Sequence, residues 1–213
     1  MKDEKNSGWR GSADLWLQAA YEQLIDCGVD SVKVMPLARQ LGLSRTSFYW
    51  HFSDREALLD AIVAIWEAKN TGNLVARCDA FAETITEAVF NLFDCWLSDD
   101  LFDARLDLAI RNWAMNDGNL LARLNHADNT RLTALKGMFS RFGYDKVQSE
   151  TRAMTVLYTQ VGYISMRVLE DKAARIERMP DYAMIFTGQP PSEAEIERFR
   201  ARHPTVVAAG VEV

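Results

Sequence analysis

Between residues 31 and 52 the chain carries no acidic residue, only Lys33, Arg39, Arg45 and His51. Ser44, Thr46, Ser47, Tyr49 and Trp50 are interleaved with these cations, and Arg55 follows. Such a set is rich in N–H and O–H donors and suits the recognition of phosphates and base edges. Arg45 can donate two hydrogen bonds to guanine O6 and N7, while Thr46 and Ser47 can reach base edges or thymine methyls. Lys33, Ser44, Tyr49, His51 and Arg55 offer phosphate contacts, and Trp50 offers an indole N–H. Phosphate contacts set register, whereas base contacts carry sequence information.

These residues need a scaffold that presents them together. Residues 34–52 read VMPLARQLGLSRTSFYWHF, which predicts a helix over 34–41, a break at Gly42 and a short helix over 45–51 capped by Ser44. Ala38 is small where two helices must cross closely, and Leu43 and Phe48 fill the angle between them. This is a helix-turn-helix, whose second helix enters the DNA major groove. Seven residues make a helix of about 10 Å, and the groove is ~12 Å wide. Lys33 stands at the N-cap of the first of these helices. It cannot accept from free amides, so about 1 kcal/mol of capping is absent there. Pro36 in the first turn needs no N–H partner.

The flanks complete a small helical domain. A helix over 12–27 places Leu17, Ala20, Leu24 and Cys27 on one face, and Gly28 ends it. Ser53-Asp54-Arg55-Glu56 reads as a capping box before Leu58, Leu59, Ile62 and Val63, opening a fourth helix to about Asn70. Thr71-Gly72-Asn73 is the expected break. Beyond it, helices are expected over 78–97, 101–115, 118–142, 146–170 and 192–203, with 171–191 a long surface loop. The tail after Pro204 is expected to fray. No run alternates with period two, so the fold class is all-α. The expected division is an N-terminal arm and three-helix DNA-binding domain over 1–56, then a helical ligand-binding and dimerisation domain over 57–213.

Within 152–170, RAMTVLYTQVGYISMRVLE, apolar residues lie on two sides of one helix, which then needs two burial partners. A second copy of the chain is the expected outer partner, met by Val161, Gly162, Ser165, Val168 and Leu169. Phe199 and Ile196 of the last helix are expected to complete the interface. Trp66, Phe93, Trp96, Trp113, Phe139 and Tyr158 suit a cavity for a small apolar or aromatic molecule, although aromatic residues at helical spacing also serve as core. The acids of 193–197 read as a solvated first turn, and Asp107 with Arg111, at i and i+4, as a helix salt bridge worth a few tenths of a kcal/mol, roughly.

Composition narrows the class. The 213 residues are 48% hydrophobic and 25% charged, with net charge −6. Residues 1–55 hold seven basic and seven acidic side chains, so the acidic excess lies wholly in the remainder. A local basic patch can bind phosphates while an acidic body maintains solubility. No apolar run approaches the ~18 residues of a membrane span. Met1-Lys2-Asp3-Glu4-Lys5 precedes no apolar core, so no secretory signal is expected. The odd, scattered cysteines Cys27, Cys78 and Cys95 suit a reducing cytoplasm. His51, His126 and His203 are too scattered for a metal site, and no cofactor is expected. GxSxG, HExxH, P-loop and GxGxxG motifs are absent, so an enzyme is not expected.

Residues 14–63 resemble the N-terminal domain of the TetR family of bacterial transcriptional regulators. The likeness is carried by Ala19-Ala20, Gly28, LARQLGLSRTSFYWHFSDREALL, Tyr49-x-His51-Phe52, Arg55 and Leu58-Leu59. It covers about a quarter of the chain. The residues after it match the family in the number and order of helices, and LDLAIRNWAMNDGNLLARLNHADNTRLTALKGMF resembles C-terminal domains of one branch. The resemblance implies a homodimer on a palindromic DNA operator, most often a repressor, released by a small-molecule effector. A TetR-like activator and a helical ligand-binding adaptor without DNA binding are the alternatives.

Overall fold

The computed structural model describes residues 11–204. These are helical, without a strand among the described residues. They form two compact units. The sequence expectations for the first five residues and for the tail after Pro204 lie outside the described residues.

The first unit runs to Glu67 and takes in Arg105–Ala122. It contains α1 (Ala13–Cys27), a 3₁₀ turn (Val29–Ser31), α2 (Val34–Leu41), α3 (Arg45–Phe48), α4 (Arg55–Trp66) and most of α7 (Ala104–Ala114). Trp16, Ala20 and Leu24 of α1, Leu37 and Ala38 of α2, Phe48 of α3 and Leu58, Leu59, Ile62 and Val63 of α4 form its core. The division expected between residues 56 and 57 falls inside α4, because α4 buries its apolar stripe in this unit. Asp54 caps α4, accepting from the Ala57 amide at 2.7 Å. Ser53 donates to Asp54 instead of capping the helix itself.

Asp107 and Arg111 form the expected i, i+4 pair, at 2.8 Å. Asp107 is fully buried and also accepts from the Trp66 indole at 2.8 Å. A buried carboxylate needs such partners, so the pair is a structural anchor.

The second unit comprises Ala68–Ala104 and the chain from Arg123. No break occurs at Thr71-Gly72-Asn73. Glu67–Gly72 is a π-helical stretch leading into α5 (Asn73–Asp79). Asn70 and Thr71 are buried, which holds the stretch in place. Asn70 exchanges two 2.9 Å hydrogen bonds with the backbone of Asp103, and Thr71 accepts from buried Arg131 at 3.0 Å. There follow α6 (Ile85–Leu97), the part of α8 (Gly118–Arg141) from Arg123 on, α9 (Lys146–Ser165), α10 (Lys172–Thr187) and α11 (Glu193–Arg202).

Helix α10 replaces the expected loop over 171–191. Asp171 caps it by accepting from Ala173 and Ala174. Ile176, Met179, Ala183 and Phe186 repeat at helical spacing and are buried. Gly188, at φ 74°, ends it in the left-handed region where a side chain would be strained.

Glu195 is not a solvated residue of the last helix. It is buried and accepts from Thr86 Oγ1 at 2.8 Å, from the Ser192 amide at 2.6 Å, from Ser192 Oγ at 2.7 Å and from Thr84 Oγ1. It thus closes a capping box on α11 and ties α11 to the start of α6. Burial alone would raise its pKa, but these donors hold the carboxyl at about 2, below the ordinary 4.5. A depressed folded pKa gives stability that is present above the unfolded value and lost as pH falls through the folded one. Between pH 5 and pH 2 the wild type should lose roughly 2–3 kcal/mol that Glu195→Gln does not lose. Urea midpoints for both proteins across that range test this, and parallel pH profiles would disprove it.

Candidate nucleic-acid interface

The reading head is built on Phe48. Its ring is fully buried, edge-on to Trp16 at 5.2 Å and 5.6 Å from Phe52. Gly42 ends α2 at φ 65°, and the next amide, of Leu43, donates to Ala38 O at 2.9 Å. That turn is glycine's because other residues are strained there. Ser44 caps α3, its Oγ accepting from the Ser47 amide at 3.2 Å. Lys33 is exposed at the N-cap of α2 and makes no side-chain cap there, as the sequence leads one to expect.

Arg45, Thr46, Tyr49 and Trp50 are exposed together, with Trp50 65% accessible. Arg45 donates through Nε and Nη2 to the Tyr49 hydroxyl at 3.3 and 2.9 Å. Its guanidinium carbon lies 5.5 Å from the Tyr49 ring centroid. The tyrosine hydroxyl accepts these bonds and keeps its own proton, which can go to a phosphate. Tyr49 thereby holds an otherwise flexible guanidinium near the N-terminus of the reading helix. Arg45→Ala should cost roughly 1–3 kcal/mol of DNA affinity and relax preference at one base position. Selections with randomised operators would show this, and a uniform loss would assign Arg45 to phosphate instead.

Three residues depart from the roles expected of them. Ser47 is buried, and its hydroxyl donates to Ser44 O at 2.8 Å, so it faces the turn rather than a groove. His51 is half-buried, and its Nε2 is enclosed by protein without a hydrogen-bond partner, so that nitrogen as placed reaches no phosphate. Arg55 donates to Val32 O at 2.6 Å and Val29 O at 2.7 Å and meets Glu56 at 3.3 Å. It clasps the 3₁₀ turn that precedes α2 and so positions the reading head. The sequence shows a cation at a helix N-terminus but not the unpaired carbonyls it would meet.

The expected ligand-lining aromatics divide in the same way. Phe93 and Trp96 line a cavity in the second unit together with Val156, Gln160, Tyr163, Glu170, Arg175, Met179 and Tyr182. Trp66 is buried in the first unit, where half-buried Trp113 also lies. Phe139 is buried in the core of the second unit against Tyr144, at 5.5 Å. Tyr158 is exposed on α9. Arg175, Met179, Tyr182 and Phe186 of the lining come from the segment expected as a loop, so that wall was hidden with α10. Among the described residues no group of three or more His, Cys, Asp or Glu is placed to hold a metal ion. No helix among them is long and apolar enough to cross a membrane.

Comparison with known proteins places this reading head in a family. Residues 17–62 match the model of the bacterial regulatory proteins of the tetR family. The match covers the reading head and leaves the rest of the chain outside it. The tetracycline repressor protein class A from transposon 1721 of Escherichia coli is 38% identical over 63 residues, 30% of this chain and 29% of the repressor. The class D tetracycline repressor of the same organism is 39% identical over 46 residues, 22% of this chain and 21% of its own length. The chain thus matches less than a third of the length of these relatives.

Solved structures extend the likeness in fold. Mycobacterium smegmatis AmtR superposes with a TM-score of 0.63 at 15% identity, covering 94% of this chain and 97% of that one. The fatty acid degradation regulator FadR of Bacillus halodurans gives 0.60 at 15% identity, over 86% and 97%. At such identity the shared property is the helical fold.

Proposed function

We propose that the protein is a ligand-responsive transcriptional regulator, a repressor that binds a palindromic operator as a homodimer and is released by a small apolar or aromatic effector. It works in the bacterial cytoplasm, on the nucleoid when bound, and catalyses no reaction. The observation that carries this reading is the exposed Arg45–Tyr49 pair at the head of α3, on a chain segment free of acids from residue 31 to 52. Lys33, Ser44, Thr46 and Trp50 complete the DNA-facing set.

Release follows from linkage. An effector that binds better to the conformation unable to hold DNA weakens DNA binding, and DNA weakens effector binding by the same factor. Half-sites a helical turn apart are ~34–36 Å between centres, so a change in head separation is an effective switch. The dimer surface is assigned to the end of α9 and the non-helical segment after it, where Ser165, Val168 and Leu169 are exposed and Val161 and Gly162 are half-buried. Phe93 and Trp96 are assigned to the effector cavity.

Affinity selection of fragmented host DNA with the purified chain, at low salt and followed by sequencing, tests the reading. Recovery of a palindromic motif is the expected result. No enrichment over bulk DNA would overturn it.

A further inference from the structure

Helices α6, α9 and α10 supply the lining of a cavity of about 40 Å³ in the second unit. Its wall carries unbalanced positive charge. The Arg175 guanidinium carbon lies 4.5 Å from the Tyr163 ring centroid, and the guanidinium makes no ion pair or hydrogen bond among the described residues. The carboxylate of the same wall, Glu170, is already engaged. It pairs with Arg178 and accepts from the Tyr163 hydroxyl. Two guanidiniums therefore stand against one carboxylate. Burial draws the Arg175 pKa below its usual value, yet a guanidinium stays charged in proteins.

Two more donors share the cavity. Gln160 is 7% exposed and has no hydrogen-bond partner among the described residues. The Trp96 indole N–H is enclosed and also unpartnered. An enclosed N–H such as that of Trp96 is ordinarily satisfied, and a half-buried guanidinium such as that of Arg175 ordinarily meets an opposite charge. A cation, an amide and an indole N–H on one small cavity have a common complement in the oxygens of an anion. The walls around them, Phe93, Val156, Met179 and Phe186, are apolar.

We propose that this cavity binds an organic carboxylate on an apolar or aromatic body, with Arg175 as its counter-ion and Gln160 and Trp96 as further donors. The inference rests on the reading of this cavity as the effector site. At 40 Å³ the space is close to the ~30 Å³ of one water and far below the ~300–1,000 Å³ of ligand pockets. It seats the head group, and the body enters as the α10 wall moves. That wall is weakened where it must yield. Pro180 lies inside α10, between Arg175 and Met179 on one side and Tyr182 on the other, and has no N–H for the Ile176 carbonyl.

Calorimetry on the full chain with benzoate, phenylacetate and 1-naphthylacetate, each beside its carboxamide, tests the proposal. At least one acid should bind tenfold or more tighter than its amide. Arg175→Gln should remove that preference at an unchanged melting temperature, and Gln160→Leu should weaken the acid several-fold. Equal binding of acid and amide, retained affinity in Arg175→Gln, or no acid bound at 10 mM would each overturn it. Titration of operator DNA without any acid keeps the two readings apart. DNA binding without acid binding sinks this inference alone, whereas Arg175-dependent acid binding with no DNA binding sinks the regulator reading.

Discussion

Between 50 and 200 mM salt, affinity for an operator fragment should fall by ~10³–10⁵, given 6–10 phosphate contacts per dimer. Counter-ions released from the duplex drive such binding, so each neutralised phosphate adds about 0.9 to the slope of log affinity against log salt. The structure says which cations contribute. Lys33 is exposed and makes no cap at the start of α2, so Lys33→Ala should make the slope shallower by about 2 per dimer, one contact from each protomer. Arg55 has its guanidinium on Val32 O, Val29 O and Glu56, so Arg55→Ala should leave the slope nearly unchanged and lower stability instead. Binding isotherms at four salt concentrations decide both points. A flat dependence for the wild type would remove DNA from the functional account, and a slope that moves only with Arg55 would invert the assignment.

Phe199→Ala should destabilise the second unit by roughly 3–5 kcal/mol, the usual cost of emptying a buried phenylalanine site. From sequence, Phe199 is expected at the dimer interface, where its loss would chiefly weaken association. In the structure it is fully buried, stacked on Phe90 with centroids 4.5 Å apart and 13° between planes, and edge-on to Phe93 at 6.4 Å. It therefore fills the core beneath α11. Gly162 provides the contrast, since a Cβ added there meets nothing within 4 Å in the protomer. Gly162→Leu should separate the protomers in sedimentation without unfolding them. Urea titration and sedimentation of the two variants distinguish the roles. A Phe199→Ala protein of native stability that sediments as a monomer would restore the interface assignment.

Local signals in the sequence were reliable where the structure is local. The limits of α2, the turn at Gly42 and the cap at Ser44 follow from a hydrophobic stripe, one left-handed residue and one hydroxyl within twelve positions. Signals failed where a side chain's partner lies far along the chain. Arg55, Asp107 and Glu195 look like surface charges in any local window. Their partners are 23, 41 and 109 residues away, at Val32, Trp66 and Thr86. Helix α10 was missed for a different reason. Pro180 and the Gly188-Gln189-Pro190-Pro191 ending outweigh a stripe of Ile176, Met179, Ala183 and Phe186 that is plain once its burial is known.

The sequence by itself determined the all-helical class, the reading head and its exposed Arg45, Tyr49 and Trp50, because those depend on spacing within two short helices. Only the tertiary structure decided which aromatics are core and which line a cavity. Trp66, Phe139 and Phe199 have the same composition signal as Phe93 and Trp96, and nothing in the spacing separates a ring packed on all sides from one that borders a void. The charge balance of that void was likewise settled by folding. Arg175 and Arg178 are alike in sequence, but Glu170 pairs with Arg178 and leaves the half-buried Arg175 guanidinium against Tyr163 without a counter-ion among the described residues.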